Sequence, residues 1–288
     1  RYIGVPLGAY VALVLLFAWG GDWFWRILAY VAVFHFVRQQ IGWGALYRAR
    51  AGQGRLDHLI DSAAIYSATL APMIHWHAHL PEVRFQWFAP GDFLPHEVFG
   101  QLEPVAWGVE VLLLLVFFSR QLWLVLRRRE LHLGKLVVVT ATAATWFVGI
   151  ALTNSDFDFT VTNVISHGVP YLVLLWMYSA ARAEQPAPSL TSRLLESGWL
   201  GFLGVLVALA YIEEWSWHRF VYGEHAWLFP GSGAPLEAPW LIWIVPALAL
   251  PQVTHYVLDG VLWRRRDTRE VAAQRVALGM QVRGNDRQ

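Results

Sequence analysis

The sequence predicts an all-α fold: a polytopic integral membrane helix bundle of about eight transmembrane helices, with both termini on the cytoplasmic side. Three observations predict it. Of the 288 residues, 56% are hydrophobic and only 15% charged, against about 25% charged in soluble domains. Apolar runs of about 20 residues, the length that crosses a bilayer as a helix, recur along the whole chain. The segments joining them alternate between cationic and acidic, as the positive-inside bias requires. The 17 tryptophans suit membrane–water interfaces, where indole rings collect.

The first run, 2–20, is long enough to span rather than to be a cleaved signal core. The chain opens on Arg1, so the native start is expected upstream. The second run, 22–40, leads into a loop with Arg48, Arg50 and Arg55; the third is 57–77. The fourth, 103–120, is the shortest, and Arg127, Arg128, Arg129 and Lys135 lie between it and the body of the fifth, 131–153. The sixth, 159–182, and the seventh, 196–215, are joined through Arg182 and Arg193. The eighth, 238–263, contains Pro246 and Pro251, where lost backbone donors predict a kink, and it ends at Arg264, Arg265 and Arg266. The intervening loops have only Arg84 and Arg219 as cations and hold Asp92, Glu97, Asp156, Asp158, Glu224 and Glu237. An even number of spans satisfies this alternation, and the expected location is a bacterial-type inner membrane.

Residues 1–263 are expected to form one bundle domain, followed by a basic cytoplasmic tail, 264–288. The two long loops, 78–102 and 216–237, are rich in Phe, Trp, Pro and His, which suits packed interfacial caps.

Composition also excludes several chemistries. Cysteine is absent, which removes disulfides, thiolate metal sites, Fe–S clusters and thiol nucleophiles. There is no GxSxG elbow and no phosphate-binding glycine loop. The net charge is +1 and no basic, aromatic-interleaved patch occurs, so no nucleic-acid partner is expected.

What remains is a set of histidines with polar partners one helical turn away. His35 has Gln39, His58 has Asp61, Asn163 has His167, Glu214 has His218, and His255 has Asp259. Such spacings place both side chains on one helix face. Ionisable groups within spans are costly and mark functional sites. With the predicted topology, His35, Gln39, His58, Asp61, His255 and Asp259 fall at similar depth near the cytoplasmic face. His167 joins them if its helix is tilted or shifted. A second polar set gathers toward the opposite face: His75, His77, His79, Glu110, Glu213, Glu214 and His218. Within it, His75 and His79 can share a helix face, whereas His75 and His77 cannot.

Neutral imidazole and carboxylate are the ligands of Fe, Mn, Cu and Zn sites that lack sulfur. The expected metal ligands are His35, His58, Asp61, His167, His255 and Asp259, with Asp61, Asp259 and Gln39 as the groups that would manage protons. One or two iron ions are the expected cofactor, with haem b or another divalent metal as alternatives. The layout resembles in type the integral-membrane histidine-cluster iron enzymes, the fatty-acid desaturases and hydroxylases. Their HxxxH and HxxHH boxes are missing here, except that His75 and His79 match the first spacing on the opposite predicted face. The expected function is therefore a non-haem iron oxidoreductase acting on a lipid or isoprenoid. Membrane lipid, a hydrophobic small-molecule substrate and a redox partner are its expected associates. The alternatives are a haem b electron-transfer subunit, with His35, His167 and His255 as candidate axial ligands, and a proton- or metal-ion-coupled transporter.

Overall fold

The computed structural model describes residues 3–95, 97–183, 198–223, 226–231 and 236–262. The predicted tail, 264–288, and the loop residues Arg193 and Glu224 lie outside the described residues. Among the described residues, eight long helices run in order: α1 Gly4–Trp19, α2 Gly21–Arg50, α3 Arg55–Ala78, α4 Val98–Arg128, α5 Leu133–Trp146, α6 Asp156–Ala183, α7 Gly198–Trp217 and α8 Ala238–Leu262. α5 continues into a π-helical stretch, Phe147–Leu152, and α7 into another, His218–Tyr222. Pro246 and Pro251 both lie inside α8, which stays helical through them.

Five of these segments are long and apolar enough to cross a membrane: Val98–Arg128, Leu133–Leu152, Asp156–Met177, Gly198–Tyr222 and Ala238–Asp259. The protein is thus an all-helical membrane protein by the character of its helices, and among the described residues five segments, against the expected eight, qualify as spans on length and apolarity. The reasons are local. α1 has 16 residues, short of the roughly 20 that cross a bilayer. α2 carries Asp22, Arg26, Arg38, Arg48 and Arg50, and α3 carries Arg55, Asp57, Asp61, His58 and, near its end, His75 and His77.

The chain forms two compact units, Trp25–Tyr171 and Arg1–Phe24 with Leu172–Gln288. In the central unit α3 packs along α4 and against α5 with its π-helical extension. Ala64, Ala68, Ala71 and Thr69 are all buried on α3, and such small residues let neighbouring helices approach closely. One apolar cluster joins Trp76, Trp146, Phe93, Phe159 and Ile150 to Val33 and Val37 of α2. A second joins Phe117 of α4 to Ala64 and Ile65 of α3, Ile41 of α2 and Val139 of α5.

The connection from α3 to α4 is fastened to the start of α6. Arg84 and Ser155 form a backbone bridge. The Asp156 carboxylate accepts from the backbone N–H groups of Gln86, Trp87 and Phe88 at 2.6–2.9 Å. Tyr30 of α2 accepts from Leu94 N–H at 3.1 Å, and Arg26 donates to the Gly91 carbonyl. This loop is the packed cap its aromatic content implied, with Phe93 buried beneath it. Gly149 sits in the π-helical stretch because α6 passes close by. A Cβ there would meet the Phe159 Cα at 3.1 Å.

In the terminal unit α1 lies along α8, and the Tyr10 hydroxyl donates to the Trp243 carbonyl at 3.2 Å. Trp176 of α6 packs edge-on against Trp199 and Phe202 of α7. At the far end of α7, Tyr211 and His218 pack on the buried ring of Phe229.

Candidate metal centre

α3 ends in the sequence His75-Trp76-His77-Ala78-His79, and its helical turn sorts the three imidazoles onto different neighbours. His77 turns toward α2. Its Nδ1 bonds the Met73 carbonyl at 2.7 Å, and its Nε2 lies 2.7 Å from the Tyr30 hydroxyl. A carbonyl only accepts, so Nδ1 carries the proton and Nε2 accepts from Tyr30. His77 is buried and fully engaged, which makes it a structural member of the α2–α3 contact.

His75 and His79, one turn apart, turn together toward α4, with ring centroids 4.2 Å apart. There they meet Glu103. His75 Nδ1 is 2.6 Å from Glu103 Oε1, and His79 Nδ1 is 3.8 Å from Oε2. His79 Nδ1 also bonds the His75 carbonyl at 3.0 Å, and Trp107 donates its indole N–H to Glu103 Oε1 at 3.3 Å. Both Nδ1 atoms therefore act as donors, to a carboxylate in one ring and a carbonyl in the other. This leaves the Nε2 lone pairs of both rings free for an incoming ligand. One ligand atom from each of His75, His79 and Glu103 lies within 4.8 Å of the others. Atoms bonded to a common ion at about 2.1 Å stand no more than about 4.2 Å apart, so an ion shared with Glu103 would replace the His75 Nδ1 proton or require that ring to turn. All three residues are half-buried, which suits a centre that admits a further ligand.

His35 and His167, from α2 and α6, are brought together within the same unit. Their rings meet edge-on with centroids 5.1 Å apart. Phe36 packs on His167 at 4.9 Å, Tyr171 stacks on it, and Gln39 donates to its backbone carbonyl at 3.4 Å. Asn163 is buried and donates to the Phe159 carbonyl, a local bond within α6. His255 and Asp259 belong to the terminal unit, where His255 Nε2 lies 3.6 Å from the Asp259 carboxylate.

The remaining predicted ligands do not gather with His35. His58 is exposed at the start of α3, with Nδ1 3.2 Å from the Ser62 hydroxyl. Asp61 is buried and faces cations: Lys135 Nζ at 2.9 Å and Arg48 at 3.6 Å. Lys135, itself 1% exposed, also donates to Gln53 at 2.6 Å. Asp57 pairs with Arg120 at 2.9 Å, and that guanidinium lies 4.5 Å over the Trp123 ring. The expected His58–Asp61 pair is thus replaced by three ion pairs that tie α3 to α2, α4 and α5. In the second predicted set, Glu110 is buried on α4. Glu213 is half-buried and Glu214 exposed on α7, and the buried His218 lies against Phe229.

Sequence reasoning missed Glu103, and it counted Lys135, Arg48 and Arg120 only as loop charge or not at all. The available signal for Glu103 was its position at the edge of the fourth apolar run, directly before Pro104.

Fold and site together define a helical membrane protein with a histidine–carboxylate cluster of metal-binding geometry. Comparison with protein-family models, curated proteins and solved structures gave no match.

Proposed function

We propose that this chain is a membrane-embedded metalloenzyme, a non-haem iron oxidoreductase of the hydroxylase or desaturase type acting on a lipid or isoprenoid. The observation that carries this reading is the convergence of His75, His79 and Glu103 from two helices. Two histidines and one carboxylate with open positions are the donor set of non-haem Fe(II) oxygenases. A bound iron would supply dioxygen activation. The chain's own residues do the rest. Trp107 holds Glu103 in place, and the His75 carbonyl fixes the His79 ring. Around the cluster, Leu102, Val105 and Phe147 expose apolar side chains, and Phe147 packs edge-on against Trp107. A membrane-dissolved substrate would approach over that surface, and a redox partner would return electrons. The eight-span, termini-in arrangement and a bacterial-type inner membrane belong to the same proposal, supported by the alternation of cationic and acidic loops.

The two other readings fit less well. An iron bonded to two imidazoles across a porphyrin holds the ring centroids roughly 6 Å apart, given Fe–N bonds of about 2 Å. His35 and His167 stand at 5.1 Å, edge to face, closer than that spacing. A transmembrane ion path along α3 and α4 would have to cross the apolar cluster of Phe117, Ile65, Ala64 and Val139.

The test is metal analysis of the purified chain in mild detergent, with an absorption spectrum. Near-stoichiometric iron without a Soret band is expected, lost in His75→Ala and His79→Ala. Unchanged iron in both variants would sink the assignment to this centre. Parallel His35→Ala and His255→Ala variants report whether the first predicted ligand set holds metal instead.

A further inference from the structure

Glu110 is an acidic residue that none of the roles above employs. It lies on the same face of α4 as Glu103, seven residues and about 10.5 Å further along the helix. It is 5% exposed, and its Oε2 takes no hydrogen bond among the described residues. Two pairs fix the antiparallel α3–α4 register: Asp57 with Arg120 at one end and His75 with Glu103 at the other. Counting between them sets Glu110 level with Ser67 and Ala68 of α3. Ser67 is buried and donates to the Ala64 carbonyl at 3.0 Å.

Among the described residues, no ion pair neutralises a carboxylate at this level. Between Asp61 and His75, α3 offers only Tyr66 as a titratable group, and its hydroxyl accepts from Arg38. Between Glu103 and Arg120, α4 has no other charged residue, and α5 has none after Lys135. A bare carboxylate there would be heavily desolvated, so the neutral acid is the form the site accommodates. In the direction of Arg120 the interface is apolar, closed by the fully buried Phe117 against Ala64 and Ile65. In the other direction it leads to Trp107 and Glu103.

We infer that Glu110 is a buried acid whose ionisation is coupled to cation binding at the His75–His79–Glu103 centre. It is a neutral carboxylic acid that releases its proton to solvent when a dication binds there, and regains it when the ion leaves. A dication about 10 Å away at an effective dielectric of about 20 lowers a carboxyl's proton affinity roughly a hundredfold.

This inference rests on the metal-centre reading, and the experiment separates the two. Zn²⁺, a redox-inert dication, is titrated into the metal-free full chain in weakly buffered detergent solution. Bound ion and released protons are counted for wild type, Glu110→Gln and Glu110→Leu. Both variants are expected to bind one ion about tenfold more weakly, as linkage requires, and to release about one proton fewer. The infrared band of a protonated carboxyl should vanish on Zn²⁺ binding in wild type and be missing from both variants. Binding with equal proton counts overturns the inference and leaves the centre standing. A wild type that binds no ion overturns the centre, and the inference with it. Loss of the folded state in both variants also counts against the inference, because a neutral, under-bonded acid does not hold a fold together.

Discussion

Replacing Asp156 with alanine tests how the segment between the two ligand-bearing helices is held. Asp156 is fully buried, and its carboxylate accepts from three consecutive backbone donors, Gln86, Trp87 and Phe88, at 2.6–2.9 Å. A hydrogen bond to a charged acceptor contributes about 1.5–3 kcal/mol. Three of them do not add fully, because a loop freed from its anchor admits water to part of the exposed backbone. A loss of about 3–5 kcal/mol is expected, a large fraction of the roughly 5–15 kcal/mol that separates folded from unfolded proteins. At about 2–4 °C per kcal/mol for a chain of this size, the melting midpoint in detergent falls by about 10 °C. Asp156→Asn rescues little, since its amide nitrogen would face donors with another donor. The assay is thermal unfolding followed by tryptophan fluorescence, beside Zn²⁺ affinity of the folded variant. The same loop sets the reach from His79 to Glu103, so affinity should fall with stability. A midpoint within 2 °C of wild type for Asp156→Ala would refute the reasoning.

Other substitutions probe separate parts of the molecule. Glu103→Gln removes the anionic ligand but keeps an acceptor for Trp107; metal affinity should fall at least tenfold by equilibrium dialysis, with stability within about 1 kcal/mol of wild type. Lys135→Met leaves the buried Asp61 carboxylate with only Arg48 at 3.6 Å and should cost about 3 kcal/mol, whereas adding Asp61→Leu should recover part of it; thermal unfolding of the single and double variants checks this. Gly149→Ala forces its new methyl against Thr162 and the α6 backbone and should cost about 1–3 kcal/mol, measured the same way. Tyr30→Phe leaves His77 Nε2 and Leu94 N–H without their hydroxyl and should cost about 1–3 kcal/mol, with metal content unchanged.

Much of the architecture was legible in the sequence. The eight apolar runs coincide with α1–α8 to within a few residues over most of their ends, because helix formation and apolar length are local properties. Four ends run further than their apolar runs. α2 continues to Arg50, and α4 extends from Val98 to Arg128, since a helix does not stop where its hydrophobicity does. α7 also runs beyond its predicted end into the π-helical stretch at His218–Tyr222.

Half of the candidate centre was legible as well. His75 and His79 stand one turn apart, and the helical period alone sets them on one face and sends His77 to another. Their third partner was not. Glu103 reaches them across 28 residues of sequence, through a loop fastened at Asp156 and a register fixed by Asp57 with Arg120. The same limit explains Asp61, whose spacing to His58 suggested a local pair although its cations come from α2 and α5. Sequence by itself determined the membrane character, the helices and the face on which each side chain sits, since these follow from residues a turn or a span apart. Which faces meet was decided only by the tertiary structure, because burial and charge pairing act between helices far apart in the chain.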